Sequence, residues 1–274
     1  MKVRLDKLLA DMKLSVSREK AKNEILAGWV MVNGERVRDT SKLVEHDSII
    51  TIERPGGLFV SRGGAKLDKA LKYFNVNVNG KICIDVGAST GGFTDCLLKN
   101  GAEKVYAVDV GYGQLDYSLR TNNKVVVMER TNARLLTGSE FDDVIDFSVI
   151  DVSFISVLKI IPVLCSLFKD LEILSLIKPQ FEAERCQMKK GIVRKKEYHM
   201  QILYRVIHEL SFMTYISGLT FSPIKGPKGN IEFLLHLHPV KQESQNFDLL
   251  KKMIEKTVEE AHNTLNTTEL LIED

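Results

Sequence analysis

The sequence predicts an α/β protein, a doubly wound and mostly parallel seven-stranded sheet preceded by a small α+β domain. Three observations predict it. From residue 81 onward, short apolar runs alternate with helical stretches, the pattern of a parallel sheet covered on both faces. Before that, a compact segment moves from helical to two-residue apolar spacing. Between the two lies the Pro55-Gly56-Gly57 break.

The elements follow in order. Leu5, Leu8, Leu9 and Met12 recur at helical spacing. Ser17 suits the N-cap of a second helix that runs to Ala27 and stops at Gly28. Val30 and Val32 alternate into Asn33-Gly34, a two-residue hairpin signal, and a last strand lies near Ser48–Ile52. In the second part, KICIDV, EKVYAVDV, KVVVME, VIDFSVIDV and LEILSLIK are strand-like. Two more strands, near Tyr215–Phe221 and Ile231–His238, follow a helix around Lys196–Leu210, and an amphipathic helix is expected over 243–262. The expected division is a small domain at 1–54, a linker at 55–61, the large domain at 62–242, and a C-terminal helix and tail at 243–274.

Composition narrows the function. Hydrophobic residues make up 44% of the 274, enough for a real core. The net charge is only +2, but residues 1–22 carry Lys2, Arg4, Lys7, Lys13, Arg18, Lys20 and Lys22 against Asp6, Asp11 and Glu19. A basic end on a neutral chain fits a phosphate-facing module, and equally a solvated helix face. The four cysteines include no C-x-x-C pair, which suits core or ordinary thiols of a reducing cytosol. MKVRLDKLLADMK carries charges throughout, so no signal peptide is expected, and no apolar run approaches the ~20 residues of a membrane span. His236 and His238 lie two apart on one strand face, without a third ligand evident, so no metal is expected.

The chemistry concentrates in a glycine loop. KICIDV runs into Asp85-Val86-Gly87-Ala88-Ser89-Thr90-Gly91-Gly92-Phe93. Glycines at a first strand end permit a tight turn and close approach to a ligand. The spacing D-x-G-x-x-x-G-G does not match the G-x-G-x-x-G fingerprint that seats a pyrophosphate on a helix N-terminus. An acid directly before the loop suits an ammonium-bearing cofactor instead, such as the methionine moiety of S-adenosylmethionine. Asp109, ending the next strand, can accept hydrogen bonds from both ribose hydroxyls. The amide of Asn132, after the third strand, can read an adenine edge.

These blocks resemble a known family over roughly residues 2–240. RLDKLLADMKLSVSREKAKNEILAGWVMVNGERV is similar to the S4-like RNA-binding domain shared by a small-subunit ribosomal protein and many pseudouridine synthases. FVSRGGAKLDKAL, DVGASTGGFTDCLL, VDVGYGQL, Asp151-Val152-Ser153-Phe154-Ile155-Ser156-Val157, LIKPQFE and GNIEFL resemble the TlyA-type proteins, described both as hemolysins and as ribosomal-RNA 2′-O-ribose methyltransferases. Their catalytic domain is similar to the FtsJ/RrmJ methyltransferase. The resemblance implies a Rossmann-like methyltransferase sheet, S-adenosylmethionine as cofactor, and ribosomal RNA or ribosomal subunits as partner. The expected protein is a monomer in the cytoplasm, with no membrane partner.

FtsJ-like enzymes use a Lys–Asp–Lys–Glu tetrad, which lands on Lys66, Asp151, Lys178 and Glu232. Asp85, Gly87, Ala88, Ser89, Gly91, Gly92, Phe93, Asp109, Asn132 and Asp151 are then the cofactor residues. Arg4, Arg18, Lys20, Lys22 and Arg62 are the expected RNA contacts. Elementary chemistry agrees with the tetrad. A ribose hydroxyl is a weak acid, so its methylation needs a proton removed or a lone pair aligned. Lys178, ending an apolar strand, is the candidate for either task, with Asp151 and Glu232 orienting the ammonium groups. Two other functions compete. A membrane-lytic protein is disfavoured, because the sequence shows neither a span nor a strongly amphipathic cationic helix. An RNA-binding module that has lost catalysis is disfavoured by the intact tetrad.

Overall fold

The computed structural model describes residues 2–15, 17–26, 28–52, 58–239 and 245–270, with side chains described to residue 265. The Pro55-Gly56-Gly57 break, the expected helix end at Ala27 and residues 243 and 244 lie outside the described residues. The chain forms two compact units, Met1–Leu58 and Phe59–Asp274.

The first unit begins with β1 (Lys2–Arg4), α1 (Leu5–Asp11) and α2 (Arg18–Leu26). It continues through β2 (Val30–Val32), β3 (Glu35–Val37), β4 (Leu43–Glu45) and β5 (Ile50–Ile52). Ser17 Oγ accepts from the Lys20 amide at 3.1 Å, the bond expected of an N-cap. Asn33 and Gly34 both take positive φ, 50° and 84°, which turns β2 back on β3. Strands order as β3-β2-β5, and the short pair β1-β4, which hydropathy did not suggest, forms a separate two-stranded ladder. Leu5, Leu8, Leu9, Ile25, Val30 and Val37 form the core. Met12, expected on the buried helix face, instead caps α1 and is exposed, because the helix ends at Asp11.

The second unit runs α3 (Gly63–Phe74), β6 (Ile82–Val86), α4 (Gly92–Lys99), β7 (Lys104–Val108), α5 (Tyr117–Arg120) and β8 (Val125–Met128). Next come β9 (Phe147–Ile150), α6 (Ile161–Leu167), β10 (Glu172–Ile177) and α7 (Pro179–Glu182). It closes with α8 (Lys196–Leu210), β11 (Tyr215–Phe221), β12 (Phe233–His238) and α9 (Phe247–Leu270). The sheet has seven strands in the order β11-β12-β10-β9-β6-β7-β8. β6 through β10 pair in parallel, and β12 is antiparallel to both neighbours. The final helix begins and ends later than the apolar spacing suggested.

Period-two alternation assigns the two faces. Cys83, Phe147, Val149, Leu174 and Leu234 face α3 and α4, through Leu67, Ala70, Phe93 and Leu97. Ile84, Val86, Ile150, Ile173 and Phe233 face α6, α8 and α9, through Ile161, Leu164, Leu203, Val206, Ile254 and Val258. Chain order reverses on either side of β6, so a crevice opens beyond the carboxyl ends of β6 and β9, where open α/β sheets place ligands.

A buried acid organises the first unit. Asp6 has no exposed surface and pairs with Arg4 at 3.1 Å and Arg18 at 3.0 Å. The Arg4 hydrogen bond, then that of Arg18, hold its carboxyl down at about 2. A lowered folded value contributes stability above the unfolded carboxylate range, lost as pH falls from about 4 toward 2. Asp6→Asn should therefore destabilise this unit at pH 7 by about 1–3 kcal/mol, and by much less near pH 2. Trp29 is the one tryptophan of the chain, so its fluorescence during denaturation reports this unit. Identical midpoints at pH 7 would contradict the assignment.

Candidate active site

The glycine loop leaves the end of β6. Asp85, in that strand, has no exposed surface, and its Oδ2 accepts from Thr94 Oγ1 at 2.6 Å. Its Oδ1 is buried without a hydrogen-bond partner among the described residues. Burial pushes this carboxyl up to about 7 against the lowering effect of Thr94. Gly87 has φ +89°, and a Cβ there would lie 2.5 Å from the Asp151 carbonyl oxygen, so only glycine fits. Gly91 also has positive φ and abuts Leu115 and Leu119.

The next strand end completes a small cleft. Asp109 accepts from the Ser89 amide at 2.8 Å through Oδ2, and from the Gly111 amide at 2.6 Å through Oδ1. Ala88, Ser89, Asp109, Gly111, Gln114 and Glu129 line this cleft. The fit to a nucleoside cofactor with an ammonium tail rests on the buried, unpartnered Asp85 oxygen and the glycine approach.

Not every expected residue sits there. Phe93 is buried in the core between α3 and α4, and Gly92 is needed for packing, since a Cβ would lie 2.9 Å from the Gly64 nitrogen. Asn132 is exposed, and its Oδ1 caps a short turn by accepting from the Arg134 amide at 3.1 Å. The cleft lining includes Glu129 and not Asn132. Glu129 pairs with Arg120 and accepts from the Gly113 amide at 2.9 Å. Its signal, an acid directly after the apolar run KVVVM, was available in the sequence.

The tetrad residues form two ion pairs. Lys66 lies in α3 but is only 5% exposed, so it is no surface lysine. Its Nζ is 2.5 Å from Glu232 Oε2. Glu232, 1% exposed, sits just before β12 rather than on a solvent face. Lys178 Nζ is 2.6 Å from Asp151 Oδ1, and donates to Ser153 Oγ at 2.9 Å. The last register pair of β10 and β12 is Ile177 with Phe233. Continued by one step, it sets Lys178 opposite Glu232, which brings both ion pairs to one sheet edge.

The loop after β9 is tightly held. Glu182, in α7, is buried and accepts from Ser156 Oγ at 2.6 Å and the Val157 amide at 2.8 Å. Phe154, within that loop, has φ +65°, a rare conformation for a bulky residue. It is 90% exposed, with its ring 4.9 Å from that of Phe181. Neither Glu182 nor Phe154 was singled out from the sequence, because role and conformation emerge only in three dimensions.

In the first unit, Arg4 and Arg18 share Asp6 while their side chains stay 42% and 51% exposed. Lys22 is exposed and Lys20 partly so. Arg62, in the second unit, is exposed beside the first turn of α3. At the opposite edge of the sheet, Glu172 joins His236 and His238, supplying the third side chain that the sequence did not reveal. Burial opposes it most, yet hydrogen bonds from His236 and Lys81 hold Glu172 at about 2. The Lys81 ammonium, 2.7 Å from that carboxylate, already fills the cation's place.

A doubly wound sheet with an acid-preceded glycine loop, and no pyrophosphate spacing, defines a methyltransferase-type domain. The FtsJ-like methyltransferase model matches residues 59–238 and the S4 domain model residues 3–50. The chain is 49% identical over 268 residues to YqxC of Bacillus subtilis, covering 96% of this chain and 95% of that one. It is 36% identical over 263 residues to the 16S/23S rRNA (cytidine-2′-O)-methyltransferase TlyA of Mycobacterium tuberculosis, covering 94% and 98%. A solved hemolysin-type chain from Streptococcus thermophilus superposes with a TM-score of 0.77 at 41% identity, covering 98% of each. The chain belongs to the FtsJ-like methyltransferase family and carries an S4 domain. No helix among the described residues is long and apolar enough to cross a membrane.

Asp85 yields a test that needs no ligand. Its raised folded value means that ionisation is disfavoured in the fold, so the cost grows from about pH 4 to about pH 7 and then levels off. Asp85→Asn keeps an oxygen for Thr94 and removes the buried charge. It should raise the melting temperature at pH 8 and leave it nearly unchanged at pH 4. A variant no more stable than the parent at pH 8 would show that Asp85 is not held against its charge.

Proposed function

We propose that this protein transfers a methyl group from S-adenosylmethionine to the 2′-hydroxyl of a cytidine in ribosomal RNA, acting as a cytoplasmic monomer. The observation that carries the proposal is Lys178, held by Asp151 and Ser153 at the carboxyl edge, beside the glycine loop and across from Glu232. S-adenosylmethionine, when bound, supplies an electrophilic methyl on a sulfonium. Asp85 Oδ1 suits its ammonium group, and Asp109 retains lone pairs for ribose hydroxyls beyond the two amides it accepts.

Lys178 has three N–H donors and two neighbours, so one donor remains for a substrate hydroxyl oxygen. That bond orients the oxygen lone pair toward the methyl, and the Asp151 carboxylate beside it can take up the hydroxyl proton. Lys66 and Glu232 hold the second wall of the site. Phe154 offers a flat apolar face next to Ser153, suited to stacking a base turned out of its helix. The S4 domain, with Arg4, Arg18, Lys20 and Lys22, and Arg62 in the second unit supply phosphate contacts. These add affinity without chemistry.

Lys178→Ala should slow single-turnover methyl transfer by roughly 10²-fold or more with both substrates saturating, and leave both affinities nearly unchanged. A folded variant that transfers at the parental rate would remove Lys178 from the mechanism. Phe154→Ala should instead lower kcat/KM for the RNA by about 10- to 100-fold, the scale of one lost base stack, at unchanged cofactor affinity. An unaltered kcat/KM would show that no base rests on Phe154.

A further inference from the structure

Two tight turns present lysines, one of them beside Glu232 and the other joined to it through Asn230. In the first, the Lys189 amide donates to the Ile192 carbonyl at 3.0 Å and the Ile192 amide to the Lys189 carbonyl at 3.1 Å. The turn closes through positive φ at Lys190 (54°) and Gly191 (77°). In the second, the Gly226 amide donates to the Asn230 carbonyl at 2.8 Å and the Gly229 amide to the Gly226 carbonyl at 2.9 Å, with Lys228 at the tip. This second turn roofs the catalytic pair, because a Cβ on Gly226 would lie 2.5 Å from Glu232 Oε1.

A single buried side chain ties the turns together. Asn230 is 2% exposed, donates through Nδ2 to the Gly191 carbonyl at 3.1 Å, and accepts through Oδ1 from the Val193 amide at 3.0 Å. A buried amide bonded through both its nitrogen and its oxygen fixes the first turn against the residue that closes the second. Lys189, Lys190, Arg194 and Lys228 are exposed, and none is paired with a carboxylate among the described residues. An ordinary solvated face would not need a buried staple, nor would it sit on the carboxylate partner of Lys66. Clustered cations on rigid backbone beside a reactive edge fit a polyphosphate chain.

We infer that these two turns form a phosphate-binding surface of the catalytic domain, which grips the RNA strand flanking the target nucleotide and holds it over Glu232 and Lys178. The inference rests on the RNA methyl transfer proposed above. It adds a contact surface distinct from the S4 domain and from Arg62, and it assigns Asn230 the role of keeping that surface in register with the tetrad.

The test uses the full-length protein and ribosomal subunits purified from cells lacking it. Methyl transfer and subunit binding are followed across a series of KCl concentrations. Lys189→Gln, Lys190→Gln and Lys228→Gln are combined in one variant. Lys251→Gln, Lys252→Gln and Lys256→Gln on α9 form a control of equal charge. The first variant should bind subunits about 10-fold or more weakly near 0.15 M salt, with a slope of log affinity on log salt shallower by about two to three. Its single-turnover rate at saturation and its S-adenosylmethionine affinity should stay within about two-fold of the parent, as for a loss of contacts made equally in the ground and transition states. The control should match the parent throughout. An unchanged slope and affinity in the first variant, or an equal loss in the control, would overturn the inference. Absence of transfer by the parent protein on both subunits would instead overturn the proposed function, an outcome the binding series keeps separate.

Discussion

A buried ammonium–carboxylate pair, Lys66 with Glu232, joins positions 166 residues apart and has both members almost excluded from water. Such a pair is a poor device for stability, because desolvating two charges offsets most of their attraction. Breaking it by removing one partner is worse, since a lone charge would be left inside. The pair therefore constrains what surrounds it. Helix α3 must lie against the sheet so that Lys66 reaches the carboxyl edge. The turn that precedes β12 must use glycine at position 226 to leave room for the carboxylate.

From that pair the rest of the site follows by sheet register. Because β12 is antiparallel to β10, the residue entering β12 meets the residue leaving β10, and Glu232 comes opposite Lys178. Because β9 is parallel to β10 and to β6, the residue leaving β9, Asp151, lies between Lys178 and the glycine loop. Gly87 then packs against the Asp151 carbonyl, which couples the glycine loop to the two ion pairs through backbone alone. One antiparallel strand in an otherwise parallel core is what lets a residue late in the chain complete a site begun at its front. The proposed division of labour, with cofactor on one side of Asp151 and ribose on the other, is a consequence of that order.

Much of this was legible in the sequence because it depends on local rules. Asp85 before Gly87 and Gly91 could be read from strand–loop spacing, and Asp109 and Lys178 from their places at apolar strand ends. Other features depend on tertiary contact and left no local trace. Helical spacing around Lys66 says that α3 is amphipathic, but not that a lysine on it is buried against a residue near the far end of the chain. The ladder of β1 with β4 has three residues on each side, too few for alternation to register. Asn132, expected to read an adenine edge, also caps the turn that follows it through its Oδ1, a local bond common for asparagine after a strand that the strand pattern alone does not reveal. Phe154 reads as one more apolar residue, and only its positive φ and exposure mark it as held out from the surface. His236 and His238 gained a third neighbour in Glu172, but the lysine beside it follows only from the sheet order, which lets Lys81, just before β6, reach across β9 to Glu172 at the start of β10.

In the proposed reaction the tetrad aligns a ribose hydroxyl, not a base nitrogen or carbon, with the methyl donor. Nucleoside mass spectrometry of ribosomal RNA methylated by the purified protein with isotopically labelled S-adenosylmethionine tests it most directly. Label is expected in a 2′-O-methylated ribose, and none when the target nucleotide carries a 2′-deoxyribose. Label in a base, or undiminished transfer to the deoxy substrate, would contradict it.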